Sequence, residues 1–158
     1  MFDHVKFGVS DFPASRAFFL QALEPLGVTD VTDWPPNGVE ISGPEGASLC
    51  LYQTDEKPVP LHLAFVAKSR HQVEAFYHAA LEAGGRDNGP PGLRPQYSDR
   101  YFAAFVIGPD GHNIEAVYHE PEANHSTGPA TASADPLREI KSTRHLLSTS
   151  HRRPSRIA

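Results

Sequence analysis

The sequence predicts an α+β fold in which one βαβββ unit occurs twice, over about residues 2–54 and 61–119. Two sets of internal matches and one hairpin point to it. At an offset of 58 residues His4 meets His62, Phe7 meets Phe65, and Ala17-Phe18 meets Ala75-Phe76. At the same offset Ala22-Leu23-Glu24 meets Ala80-Leu81-Glu82, and Gly27 meets Gly85. At an offset of 65, Gly43-Pro44-Glu45-Gly46 meets Gly108-Pro109-Asp110-Gly111, Leu49 meets Ile114, and Cys50 meets Glu115. Self-similarity at a fixed spacing marks a duplicated structural unit. Residues 103–119, AAFVIGPDGHNIEAVYH, place a Gly-Pro-Asp-Gly turn between two apolar runs, which predicts an antiparallel hairpin.

The elements follow in chain order. Residues 1–9 alternate as a strand, with Val5, Phe7 and Val9 on one face and His4, Lys6 and Gly8 on the other. A helix is expected from Phe12 to Leu26: Ser10 or Asp11 caps it, Pro13 suits its first turn and Gly27 ends it. Its buried stripe is Phe18, Phe19, Ala22, Leu23 and Leu26. Short strands are expected at residues 28–33, 38–42 and 47–54. A second opening strand, residues 61–67, puts Leu61, Leu63, Phe65 and Ala67 on one face and His62, Ala64 and Val66 on the other. Ser69 and Gln72 form a capping box for the next helix, whose stripe is Val73, Phe76, Tyr77, Ala80 and Leu81 and which Gly84-Gly85 stops. Residues 86–99 read as a Gly/Pro-rich loop, and the seven extra residues of the second unit are assigned to it.

Composition bounds the function classes. With 158 residues the chain holds one ordinary core, or two small modules sharing one. Its 15 prolines and 12 glycines imply many turns. Cys50 is the only cysteine, so no disulfide can form within the chain. No apolar run approaches the ~20 residues of a membrane span, and the N-terminus lacks the layout of a signal peptide, so a cytoplasmic location is expected. Residues 1–124 carry 17 acidic and 8 basic side chains, against 2 and 6 in residues 125–158. The acidic body gives no reason to expect nucleic acid. Residues 120–158 are rich in Ser, Thr, Pro and Arg, and are expected to form a flexible basic tail with at most a short helix at 137–147.

Glu115 interrupts an otherwise apolar strand. Alternation places it with Asn113 and Val117, opposite Ile114, Ala116 and Tyr118. A carboxylate inside a strand is unfavourable unless that face is wet, paired or bound to a cation. A lone histidine at a strand start is usually just hydrogen-bonded, but His4 and His62 occupy equivalent positions in two copies, opposite the helix-packing faces. Two imidazoles and a carboxylate converging in a cleft would leave coordination positions open for substrate or oxygen.

The chain resembles the vicinal oxygen chelate superfamily, which includes glyoxalase I, fosfomycin-resistance proteins, bleomycin-binding proteins and extradiol dioxygenases. The resemblance covers residues 2–119 and rests on FDHVKFGVSDFPASRAFF, LHLAFV and FVIGPDGHNIEAVYH; the last, with GLRPQY and YFAAFV before it, looks like a bacterial glyoxalase-like group. It implies curled mixed sheets enclosing a cleft, a divalent metal (Fe, Mn, Zn or Ni), and ligands from the first and last strands of each module. Those positions here are His4, Cys50, His62 and Glu115. Three fit the metal-dependent members, and Cys50 stands where many glyoxalase I enzymes have a glutamate. It can be a fourth ligand, a pocket thiol or a small core residue.

The resemblance implies a metalloenzyme that chelates an oxygenated small molecule, by lyase, isomerase or dioxygenase chemistry. The alternative is a metal-free binding protein of the bleomycin-resistance type. His4, His62 and Glu115 are the candidate metal ligands, and Glu115 and Tyr101 the candidate catalytic groups. Lys6, Tyr52, Arg100 and Asn113 are the candidate substrate contacts. Arg94 lies on the 86–99 loop, as a lid residue or a solvated charge. His71, His78, His112 and His119 read as surface residues. A homodimer is expected, because two such modules can close on each other or exchange with a second chain.

Overall fold

The structure, a computed structural model, describes residues 2–122, so the tail and the helix expected at 137–147 lie outside the described residues. The two predicted units are present. The first comprises β1 (His4–Val9), α1 (Phe12–Leu23), β2 (Asp30–Trp34), β3 (Gly38–Ser42) and β4 (Ser48–Gln53). The second comprises β5 (His62–Val66), α2 (Arg70–Glu82), β6 (Arg86–Leu93), β7 (Tyr101–Ile107) and β8 (Asn113–His119). Each unit makes a four-stranded mixed sheet, in the orders β1-β4-β3-β2 and β5-β8-β7-β6. The opening strand of each runs parallel to the closing one, in matching register: His4 lies opposite Ser48 and Lys6 opposite Cys50, as His62 lies opposite Asn113 and Ala64 opposite Glu115. The 65-residue equivalence of Cys50 and Glu115 is therefore a real register.

Helix ends follow their local chemistry. The Asp11 carboxylate accepts the Ala14 N–H at 3.0 Å and so caps α1. The α-helical part stops at Leu23, short of the expected Leu26, and a 3-10 turn takes residues 24–26. Pro25 has no N–H to continue the ladder, so the chain tightens instead, and Gly27 closes it at φ 79°. At α2, Ser69 Oγ accepts the Gln72 N–H at 3.2 Å, while Gln72 Oε1 reaches back one residue further than a capping box does, to the Lys68 N–H at 2.7 Å.

The segment expected as a loop is partly a strand. Arg86–Leu93 pairs with β7 through two register shifts, between Asp87 and Gly89 and between Gly89 and Gly92. Its position at the sheet edge explains how Asn-Gly-Pro-Pro-Gly can belong to a sheet. Prolines lack only a donor that an edge strand need not supply, and bulges accommodate the rest.

Both helices pack on the same side of their sheets, and against each other, in one contiguous core of Phe7, Val9, Phe18, Phe19, Ile41, Leu51, Phe76, Val106 and Ile114 among others. The units dock through Phe18. A Cβ on Gly85 would lie 2.9 Å from its ring and 2.4 Å from Val106, and one on Gly108 would lie 3.1 Å from the same ring. Only glycine at these two places lets a phenyl from the first unit reach the second. Asp110 ties the same junction, accepting the Ser10 N–H (3.0 Å), the Ser10 hydroxyl (2.5 Å) and the Ser15 hydroxyl (2.7 Å).

His112 is buried rather than on the surface. Its ring sits edge-on to Phe7 at 4.9 Å, and Nδ1 accepts the Leu61 N–H at 3.0 Å, while Nε2 has no protein partner. Burial lowers its pKa, opposed by Asp110, so the ring is held neutral. Nothing local in the sequence marks this: docking of the first unit is what covers the residue.

Burial raises the Asp110 carboxyl pKa, but the bonds from Ser10 and Ser15 outweigh it and the net displacement is downward. Asp110→Ala is expected to cost about 1–3 kcal/mol at neutral pH. Because the folded pKa is depressed, that advantage is complete above about pH 4 and disappears as pH falls through the folded value. Urea denaturation of both proteins, followed from pH 7 downward, checks this.

Candidate functional site

Each sheet has a helix-packed face and an opposite face, and the candidate residues stand on the opposite faces. In the second unit, β5 contributes His62, β7 Tyr101 and Phe105, and β8 Asn113 and Glu115. Glu115 is 2 % exposed, although its face is not part of the core. Both of its oxygens are occupied. Oε2 lies 3.0 Å from His62 Nε2, and Oε1 accepts the Tyr101 hydroxyl at 2.6 Å. The buried carboxylate is thereby satisfied from two directions, which is what allows an acid inside a strand.

His62 remains 52 % exposed beside this buried acid, so a ligand can reach it. Its Nδ1 lies 2.8 Å from Asn113 Nδ2, and Asn113 Oδ1 accepts Asn88 Nδ2 at 3.1 Å. An amide donor at Nδ1 leaves the proton on Nε2, directed at Glu115. Rotation of the Asn113 amide would instead accept a proton at Nδ1 and turn the Nε2 lone pair toward Glu115, an arrangement that a cation between the two would suit and the bare carboxylate would not. Phe105, opposite Glu115 in the β7–β8 register, stacks on the imidazole with centroids 6.3 Å apart. Burial, followed by the bond to Glu115, pushes the Tyr101 phenol well above its usual pKa. Tyr101 is therefore a fixed donor at neutral pH. Tyr97 and His119 pack edge-on against its ring at 5.1 and 5.0 Å.

The first unit presents a parallel but different face. Lys6 Nζ lies 5.5 Å from the ring centroids of both Trp34 and Tyr52. Cys50 is buried without belonging to the central core cluster, with Sγ 3.9 Å from Ser48 Oγ. It is thus a thiol on the site face, at the register position that Glu115 holds in the second unit. A pocket of about 340 Å³ opens beside Lys6, Tyr52 and Lys57, with His112 in its wall.

The structure joins part of the expected set and separates the rest. His62, Glu115, Tyr101 and Asn113 form one hydrogen-bonded group. His4 is not in it: its Nδ1 lies 2.7 Å from Asp3, and among the described residues no three His, Cys, Asp or Glu side chains gather where one cation could hold them. The reason is topological, since both units give their helix-packed faces to one core and the site faces lie on the opposite sides. Arg100 is directed to Glu122 at 3.3 Å and takes no part in the group. Sequence reading missed Asn88 and Phe105, and it left Arg94 as a lid residue or a solvated loop charge. Asn88 belongs to the bulged β6 and Arg94 follows it directly, in a stretch whose composition concealed the strand. A cavity of about 520 Å³ lies elsewhere, walled by apolar residues including Val5, Leu49, Leu63 and Phe65, and none of the candidate residues lines it.

Comparisons with known proteins agree with this architecture. The family model described as Glyoxalase/Bleomycin resistance protein/Dioxygenase superfamily matches residues 1–116. No curated protein matches the chain. Among solved structures, a glyoxalase/bleomycin resistance protein from Albidiferax ferrireducens T118 is 27 % identical with a TM-score of 0.66, covering 75 % of this chain and 98 % of that one. A glyoxalase-related enzyme from Fulvimarina pelagi is 19 % identical with a TM-score of 0.60, covering 75 % and 87 %. A family enzyme from Burkholderia phytofirmans PsJN is 14 % identical with a TM-score of 0.61, covering 75 % and 98 %. The last two, at such identities, speak for the fold alone. No helix among the described residues is long and apolar enough to cross a membrane.

Tyr101→Phe leaves one oxygen of a buried carboxylate unpaired and is expected to cost about 1–3 kcal/mol. A phenol whose folded pKa is raised contributes its stability in full below about pH 10 and loses it as pH climbs further. The gap between wild type and Tyr101→Phe in urea denaturation should therefore be constant near neutrality and shrink in alkali.

Proposed function

The chain belongs to the Glyoxalase/Bleomycin resistance protein/Dioxygenase superfamily, and on that premise we propose that it is a metal-dependent enzyme acting on an oxygenated small molecule. The observation that carries this reading is the contact of an exposed imidazole with a buried carboxylate, His62 Nε2 to Glu115 Oε2 at 3.0 Å. His62 Nε2 and Glu115 Oε2 would hold such an ion together. The donor set, one neutral nitrogen and one carboxylate oxygen, suits Fe(II), Mn(II), Zn(II) or Ni(II). When bound, such an ion polarises the substrate's oxygens as a Lewis acid.

The chain's own residues set the conditions for that chemistry. Asn113 holds the His62 ring in orientation through Nδ1, and Asn88 holds Asn113. Tyr101 fixes Glu115 through Oε1 and keeps its proton, so it orients the carboxylate and does not compete as a base. Such outer partners commonly change metal affinity 10–100-fold when removed. In this reading Glu115 doubles as ligand and as acceptor of a proton from a substrate bound beside His62, which requires it to release one of its present partners.

The third ligand, His4, comes from a second copy of the chain in this reading. The support is chemical complementarity: one site face offers His62 and Glu115, the other His4, Lys6, Cys50 and Tyr52. Val66, on the same face of β5 as His62, is 74 % exposed, an apolar surface suited to being covered. The functional unit is then a homodimer with two shared sites, and its partner molecule is a small substrate rather than nucleic acid or membrane. A metal-free binding protein is the second reading. The contacts that Glu115 makes with both His62 and Tyr101, one on each oxygen, favour it.

Titration of protein lacking a histidine tag with Fe(II), Mn(II), Zn(II) and Ni(II) is expected to give one ion per chain. His62→Ala and Glu115→Gln should each weaken this at least about tenfold; a wild type that binds no ion, or variants that bind equally well, would leave the metal-free reading. Sharing is checked by pairing a His4→Ala chain with a His62→Ala chain. One of the two sites in the mixed dimer is intact, so tight binding should return at about one ion per dimer although neither parent shows it.

A further inference from the structure

The bulged strand β6 holds one cation over the candidate site. Arg94 Nη2 donates to Pro90 O at 2.6 Å and Nη1 to Leu93 O at 3.3 Å, and the guanidinium lies 5.3 Å from the centroid of Phe105, the ring that stacks on His62. The main chain of Arg94 is fixed as well, its N–H to Tyr101 O at 2.7 Å and its carbonyl accepting from Tyr97 at 2.9 Å. Glycines leave room for the cradle. A Cβ on Gly92 would stand 3.0 Å from Nη1, and one on Gly89 would stand 3.4 Å from Nη2 and 3.1 Å from Phe105. Gly89 also adopts φ 148°, where other residues are strained.

A solvated surface arginine requires none of this. Here a pair of bulges, two glycines and two carbonyls place a half-buried guanidinium against the aromatic wall of the site, and bulges are a recurring means of aiming a side chain there. Among the described residues Arg94, like Arg86, has no carboxylate partner, whereas Arg16, Arg70 and Arg100 each have one. Each terminal nitrogen gives one hydrogen to a carbonyl, and the remaining N–H groups are left for a ligand.

We propose that Arg94 is a specificity-determining residue that binds a carboxylate carried by the substrate, at the end remote from His62. This rests on the reading of the His62–Glu115 face as a ligand site and adds the class of ligand. A carboxylate fits better than a phosphate. A single planar guanidinium matches one planar monoanion in geometry and charge.

The test observes Arg94 directly and without metal. The Nε–H signal of Arg94, assigned by its loss in Arg94→Lys, is followed by ¹⁵N NMR during titration of the full chain with acetate, benzoate and 2-oxoglutarate, against acetamide and inorganic phosphate. Carboxylates should shift the signal, and acetamide should not. Arg94→Met should weaken benzoate binding at least about tenfold, while its circular dichroism and its metal titration stay those of wild type. The proposal is overturned if no carboxylate moves the signal, if phosphate binds more tightly than the carboxylates, or if Arg94→Met binds benzoate as wild type does. Loss of metal binding with the carboxylate response intact would count against the metalloenzyme reading alone.

Discussion

Phe18 resting on Gly85 and Gly108 is the contact that decides how the two halves of the molecule meet. It commits the helix-packed face of each sheet to one shared core, with Asp110 pinning the start of α1 alongside it. Each sheet then has only its other face left for ligands. Duplication and docking together produce two site faces on one chain, related by register yet turned away from the core that joins them.

The two faces have diverged chemically from the same template. The position opposite the second residue after the opening histidine is Cys50 in one half and Glu115 in the other. One is a small thiol that needs little satisfaction when buried. The other is an acid that must be satisfied, and a tyrosine and a histidine do so, the histidine being held in turn by an asparagine pair. The polar network lies wholly in the second unit, while the first offers a lysine between aromatic rings.

Much of this was legible in the sequence, for a physical reason. Internal repetition survives as matched apolar and glycine positions, so the βαβββ order, the face assignments of His4 and His62, and the oddity of Glu115 could all be read from spacing. What could not be read was non-local or masked by composition. His112 is covered only when the other unit docks. His4 lies apart from His62 because duplication aligns residues in register without bringing them into contact. Asn-Gly-Pro-Pro-Gly reads as a loop because its edge location, which excuses missing donors, is a property of the sheet and not of the segment.

That segment has a further consequence for how the molecule behaves among its neighbours. A sheet with an open border invites a foreign strand to zip onto it. Along β6 the Pro90-Pro91 pair offers no N–H and the bulges break the ladder's rhythm, so this border is blunted against such additions. The opposite border of the same sheet, β5, with its unbroken Leu-Ala-Phe-Val run, carries no comparable guard. Association by strand addition is therefore directed to the side of the sheet that bears His62.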